Sequence, residues 1–161
     1  MKAHEIIREQ LATARYVMSR YLEDLTDAEL HLSPVTGAHT AAWQVGHLIV
    51  SEKRMAEGIR AGAGVDLPAG FEGAHAKDAP AATTGAFSKA QYAELMKIQR
   101  ERTIVLLDSL SESDLSRPAP EFMRAYAPHV GSVFGSIAGH ELMHSGQVAV
   151  LRRSLGKPVV I

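Results

Sequence analysis

Cysteine is absent from this chain, which excludes disulfides, thiolate metal ligands and a cysteine nucleophile together. Long apolar runs are lacking as well: none approaches the roughly 18 residues needed to span a bilayer. Nor is there an excess of charge of one sign. Seventeen Lys and Arg residues stand against 18 Asp and Glu, so no basic stripe argues for nucleic acid and no acidic block for a disordered tail. The first ten residues, MKAHEIIREQ, are charged from the outset and carry no signal-peptide core. Internal repeats and low-complexity tracts are missing too. These absences lead to the expectation of a soluble, cytoplasmic protein without membrane or nucleic-acid partners. At 161 residues, one domain spanning 1–161 is expected, large enough to bury a core without staples.

What the chain does have is helical periodicity. From about Ala3 to Leu25, the apolar residues Ile7, Leu11, Ala14, Met18, Tyr21 and Leu25 form one amphipathic seam. Pro34 and Gly37 punctuate the next stretch, where residues from Asp27 to Leu30 can form a short helical turn. Thr40 reads as the N-cap of a second long helix reaching about Ala61, before Gly62 and Gly64. Residues from Gly62 to Phe87 are rich in Gly, Ala and Pro, without periodicity. That length suits a crossover along the molecule better than a tight turn. Ser88 reads as the cap of a third helix to about Leu110, with Tyr92, Leu95, Met96, Thr103 and Leu106 on its inner face. A fourth helix is expected from about Ser132 to Leu155. The histidines outside these faces, His4, His31, His39, His75 and His129, read as solvent-facing or loop residues.

The fourth helix carries the chemistry. At about 100° per residue, Val133, Ile137, His144, Val148, Leu151 and Leu155 all fall within about 80° of His140. Both histidines therefore stand in the buried stripe, one turn apart, while Ser145, Ala149, Arg152 and Arg153 face away. Two imidazoles at i, i+4 can grip one metal ion; the alternative is two core histidines, each satisfied by a hydrogen bond. His140-Glu141-x-x-His144 also matches the H-E-x-x-H string of zinc proteases. Downstream of His144, however, there is no His, Asp, Glu or Cys, and position 150 is Val, so an ordinary zincin is excluded. A third ligand must come from upstream. In the second helix, Trp43, His47, Val50, Ser51, Arg54 and Gly58 share one face, which makes His47 the candidate third nitrogen. Three neutral imidazoles would leave a coordination position open, the catalytic type of site.

Ala42-Trp43-Gln44-Val45-Gly46-His47-Leu48 resembles the W-x-x-G-H-L segment of the DinB/YfiT-like superfamily, and His140 to Gln147 resembles its H-x-x-x-H-x-G-Q segment. The Leu151 to Pro158 stretch resembles the family's helix ending. The resemblance covers nearly the whole chain. It implies an all-α, up-down-down-up four-helix bundle with a long crossover between helices 2 and 3, a homodimer, and His47, His140 and His144 as metal ligands. It also implies kinship with thiol-dependent S-transferases and isomerases that use low-molecular-weight thiols such as bacillithiol or mycothiol.

Together these readings point to a metal-dependent enzyme acting on a small molecule, with thiol transfer as the leading reaction. A metal-dependent hydrolase and a non-enzymatic metal-binding module are the alternatives. Zinc is the expected ion, and nickel, copper or iron are acceptable to imidazole ligands. Glu141, about 80° from the mean direction of the two helix-four histidines, is the candidate base. Trp43, Ser51, Arg54 and Gln99 are candidates for lining a substrate pocket, Arg54 as a partner for a carboxylate. The competing readings are an exposed Glu141, a snorkelling Arg54, and a Gln99 that is buried with local hydrogen bonds.

Overall fold

The computed structural model describes residues 2–79 and 87–161, and among these it is all-helical, with no strand. Four long helices dominate: α1 (Ala3–Leu22), α3 (Ala41–Ile59), α5 (Lys89–Asp108) and α7 (Val130–Ser154). Between them lie the single turns α2 (Asp27–Leu30), α4 (Phe71–Ala74) and α6 (Glu112–Leu115), and a 3-10 turn at Glu121–Met123. The caps are those expected from the sequence. The Thr40 hydroxyl accepts from the Trp43 amide at 3.1 Å, and Ser88 forms a capping box with Gln91. α1 and α5 stop two or three residues short of the expected ends, the usual latitude at fraying termini.

α1 packs chiefly on α7, and α3 packs on both α5 and α7. At one end Arg8 of α1 pairs with Asp108 of α5, and Arg60 just past α3 donates to Ser109 just past α5 at 2.6 Å. At the other end Gln44 of α3 donates to Gln147 of α7 at 2.8 Å, and Arg152 of α7 donates to the carbonyl of Tyr21 at 2.9 Å. Arg152 also pairs with Asp24. Because α7 is clasped between α1 and α3, its buried arc is wider than one stripe. Ser145 and Arg152, expected to face away from the core, are therefore buried.

The apolar core is divided in two. One cluster holds Leu11, Leu107, Val133 and Phe134; the other holds Met18, Ile49, Phe71, Tyr92 and Leu151. Four charged side chains lie between them, one from each long helix. Arg100 of α5 reaches Glu52 of α3 with two N–H groups, at 2.8 and 3.0 Å, and Glu141 of α7 at 2.8 Å. Arg15 of α1 donates to the other Glu141 oxygen at 2.7 Å and lies 3.6 Å from Glu52. Backbone takes one further donor from each arginine: Arg15 bonds the Met96 carbonyl at 2.8 Å and Arg100 the Leu11 carbonyl at 2.7 Å. Burial opposes the charge on Arg100, but attraction to Glu52 and Glu141 outweighs it, and its pKa is held above the ordinary guanidinium value.

Such a lattice gains little over an apolar core of equal volume, yet it is costly to break, because the surviving partner is left charged and out of water. Replacing Glu141 by Ala leaves two guanidiniums to share the single carboxylate of Glu52, so that one positive charge in the lattice has no counter-charge, and the expected loss is about 3–5 kcal/mol of unfolding free energy. Denaturant titration of the variant checks this; a loss under about 1 kcal/mol, the range of a surface pair, would contradict it.

Candidate metal centre

His47, His140 and His144 come together. One ligand nitrogen from each lies within 4.8 Å of the other two, with His144 buried and the other pair half-buried. The Nε2 atoms of His140 and His144 are 2.9 Å apart, as the one-turn spacing on α7 requires. His47 comes from α3, its ring centroid 5.3 and 5.4 Å from those of His140 and His144.

Each outer contact orients a ring. The Nδ1–H of His144 donates to the side-chain oxygen of Gln44, whose own amide donates to Gln147. The Nδ1–H of His47 donates to the backbone carbonyl of His75 at 3.0 Å. With both Nδ1 protons committed to oxygen, the Nε2 lone pairs of His47 and His144 are left available for a cation. The His47 ring is also stacked on Trp43 (centroids 4.6 Å apart, planes 8° apart), and Trp43 in turn on His39 (3.6 Å, 11°).

Burial is the main reason the three imidazoles favour the neutral form. It lowers the pKa of His140 to about 4 and of His144 to about 3, with repulsion from the neighbouring histidines adding to it. His47 is lowered chiefly by burial, against which the His75 carbonyl works. All three are unprotonated near neutral pH, the state that binds metal. An all-nitrogen, neutral donor set, with the outer sides of His47 and His144 already hydrogen-bonded, fits a divalent cation.

The crossover residues explain what the sequence pattern missed. His75, expected to face solvent, is completely buried. Its Nδ1–H donates to the Phe71 carbonyl at 2.7 Å, and its Nε2 accepts from the Tyr92 hydroxyl at 2.9 Å. Its ring lies flush against α3 at Gly46, where an added Cβ would stand 2.1 Å from His75 Cδ2. Gly46 is thus the socket for His75, and the seated loop presents its carbonyl to His47. His31 and His39 are likewise half-buried rather than exposed, His31 facing the Phe87 carbonyl at 3.2 Å.

The other candidates separate. Glu141 is buried and both of its oxygens are bound by arginines, so it does not flank the centre as a free base. Gln99 is buried and committed: its oxygen accepts from the Val65 amide at 2.9 Å and its nitrogen donates to Thr103 at 3.2 Å. It borders a void of about 10 Å³ beside His140. Trp43 serves as a stacking base for His47. Ser51 and Arg54 do border an open cavity of about 590 Å³ that reaches His140, and the Ser51 hydroxyl lies 3.4 Å from His47 Nε2.

The profile of the DinB superfamily matches residues 10–148, and the chain belongs to that superfamily. A crystal structure described as a conserved protein from Enterococcus faecalis is similar in fold, with a TM-score of 0.75 at 20% identity over 98% of this chain and 99% of that one. At this identity the likeness is one of fold alone. No curated protein matches the chain. No helix among the described residues is long and apolar enough to cross a membrane.

The depressed pKa values set a pH dependence for the metal-free protein. The unfolded chain takes up these protons near pH 6.5, whereas folded His140 and His144 wait until about pH 4 and 3. Their contribution is therefore fully present above about pH 6.5 and is lost as pH falls toward those values. Comparing melting temperatures of wild type and His144→Gln from pH 8 to pH 4 isolates it: wild type should lose more on acidification. Parallel curves would show that the ring is not withheld from protonation.

Proposed function

We propose that the chain is a metal-dependent enzyme acting on a small molecule, with His47, His140 and His144 as ligands to a divalent ion, zinc by the chemistry of the donors. The observation that carries this reading is the inward convergence of three neutral imidazoles whose Nδ1 sides are, for His47 and His144, already hydrogen-bonded to oxygen. Nickel, copper or iron suit the same donors, and availability would decide among them. The helix pairings support an up-down-down-up four-helix bundle within a single 1–161 domain. The end of α7 meets the end of α1, and Gln147 near that end meets Gln44 near the start of α3. The end of α3 meets the end of α5, and the end of α5 meets the start of α1. Exposed Met143 and Val150, two turns apart on α7, offer apolar surface for the homodimer the family implies.

When bound, the cation supplies Lewis acidity, making a thiol or water presented to it a better nucleophile near neutral pH. The chain's own residues do the rest. Gln44 and the His75 carbonyl hold two imidazoles in the required tautomer. Trp43 fixes the plane of His47, and the apolar surround raises the strength of charge interactions at the centre. Thiol transfer is favoured over hydrolysis because, among the described residues, the candidate base Glu141 is already committed. Glu141 is tied into the arginine lattice, and a nucleophile that brings its own acidic proton asks less of the protein.

Purified protein given zinc and then dialysed should retain about one ion per chain, and His47→Ala, His140→Ala and His144→Ala should each abolish retention. Gln44→Ala should weaken zinc affinity by about 10–100-fold, the usual effect of removing an outer hydrogen bond. Metal content checks both, and wild-type content in His47→Ala would remove α3 from the site. The zinc-loaded protein should turn over thiol-plus-electrophile pairs and leave amide and ester panels untouched. Ester or amide cleavage without thiol would overturn the transferase reading, and a metal-stabilised protein with no turnover would leave a non-enzymatic module.

A further inference from the structure

The open cavity beside His140 has an unusual wall. The segment around the 3-10 turn lies flat on α3: an added Cβ at Gly58 would stand 3.0 Å from both Phe122 Cε1 and Pro120 Cγ. Met123 and Ala127 anchor this segment in the core, and the Ala119 and Val130 amides tie its two ends together through Pro128 and Arg117 carbonyls at 3.0 and 2.9 Å. On this fixed support Phe122 and Tyr126 face outward, 45% and 63% exposed. Large aromatic rings held rigidly in water at a cavity mouth are available surface for a ligand.

Arg54 rests against that wall, its guanidinium carbon 4.8 Å from the centre of the Phe122 ring. Arg15, Arg100 and Arg152 each have a carboxylate partner, whereas Arg54 forms no ion pair among the described residues. Lying over an aromatic face leaves the edge of the guanidinium free for a two-point grip on an acid. Among the described residues bordering the cavity, Arg54 carries the only formal charge. One guanidinium matches one carboxylate; a phosphate dianion would call for a second cation, and no lysine or second arginine among the described residues borders the space. The volume, about 590 Å³, is that of a small-molecule site.

We infer that this cavity binds a small carboxylic acid with a planar apolar body, its carboxylate on Arg54 and its body against Phe122 and Tyr126. The opposite end of such a ligand faces His140. That last point alone rests on reading the three histidines as the reacting centre; the binding of the acid does not. Removing charge at Arg54 should therefore affect which ligands bind without affecting the metal ligands.

The test uses chelator-treated, metal-free protein, so that no carboxylate binds through a cation. Phenylacetate and its uncharged amide, phenylacetamide, are titrated by NMR against wild type, Arg54→Gln and Phe122→Ala. Wild type should prefer phenylacetate by about tenfold, Arg54→Gln should lose that preference, and Phe122→Ala should weaken both probes. Wild type and Arg54→Gln are then reloaded with zinc and dialysed, and the zinc retained should be equal in the two. Equal affinity for acid and amide, a preference that survives Arg54→Gln, or no binding of either probe overturns the inference, even if zinc is retained. An Arg54-dependent preference in a protein that retains no zinc supports it while removing the metal reading.

Discussion

Two carboxylates shared between two guanidiniums, three of the four groups buried and Arg15 half-buried at the edge, hold the four long helices in register between the halves of the core. Apolar contacts tolerate sliding; this lattice does not, because each partner must meet its charge at hydrogen-bond distance. Glu141 follows His140 directly, and Glu52 lies just over one turn beyond His47. A slip of one residue in α7 would swing both of its histidines by about 100° and strip Glu141 from Arg15 and Arg100. The arrangement that makes one part of the interior costly to disturb thus aims the imidazoles of α3 and α7 at one another.

Around the centre a second set of contacts refines that aim. Gln44 and the His75 carbonyl each take a ring proton, and Trp43 sets a ring plane. The carbonyl is delivered by a loop whose seat depends on the absence of a side chain at Gly46. The W-x-x-G-H-L and H-x-x-x-H-x-G-Q segments therefore read as one interlocked device. Gln44 and Gln147 bond across the helices, Gly46 admits the loop, and the histidines between them point inward.

Periodicity was enough to see the four long helices, and the caps at Thr40 and Ser88 were legible because a capping side chain bonds within its own turn. The convergence of His47 with His140 and His144 was legible because each stands on an apolar stripe that has to face the others. What escaped depends on partners distant in sequence. His75 sits in a segment without periodicity, and its only local hint is a glycine 29 positions earlier. Glu141 and Arg152 are charged residues on a helix whose buried arc is widened by a second neighbour, and a one-stripe reading sends them to solvent. Gln99, a pocket candidate by its place on the inner face of α5, spends its hydrogen bonds on the crossover backbone at Ala63 and Val65 and on Thr103.

The account stands on three imidazole nitrogens taking up a single ion. X-ray absorption at the zinc edge, on protein loaded with one equivalent, measures that directly. Three nitrogen scatterers at about 2.0–2.1 Å, with the multiple-scattering pattern of histidine rings and one further light atom, is the predicted result. A shell of oxygens without the imidazole pattern, or a fit that needs only one or two histidines, would contradict it.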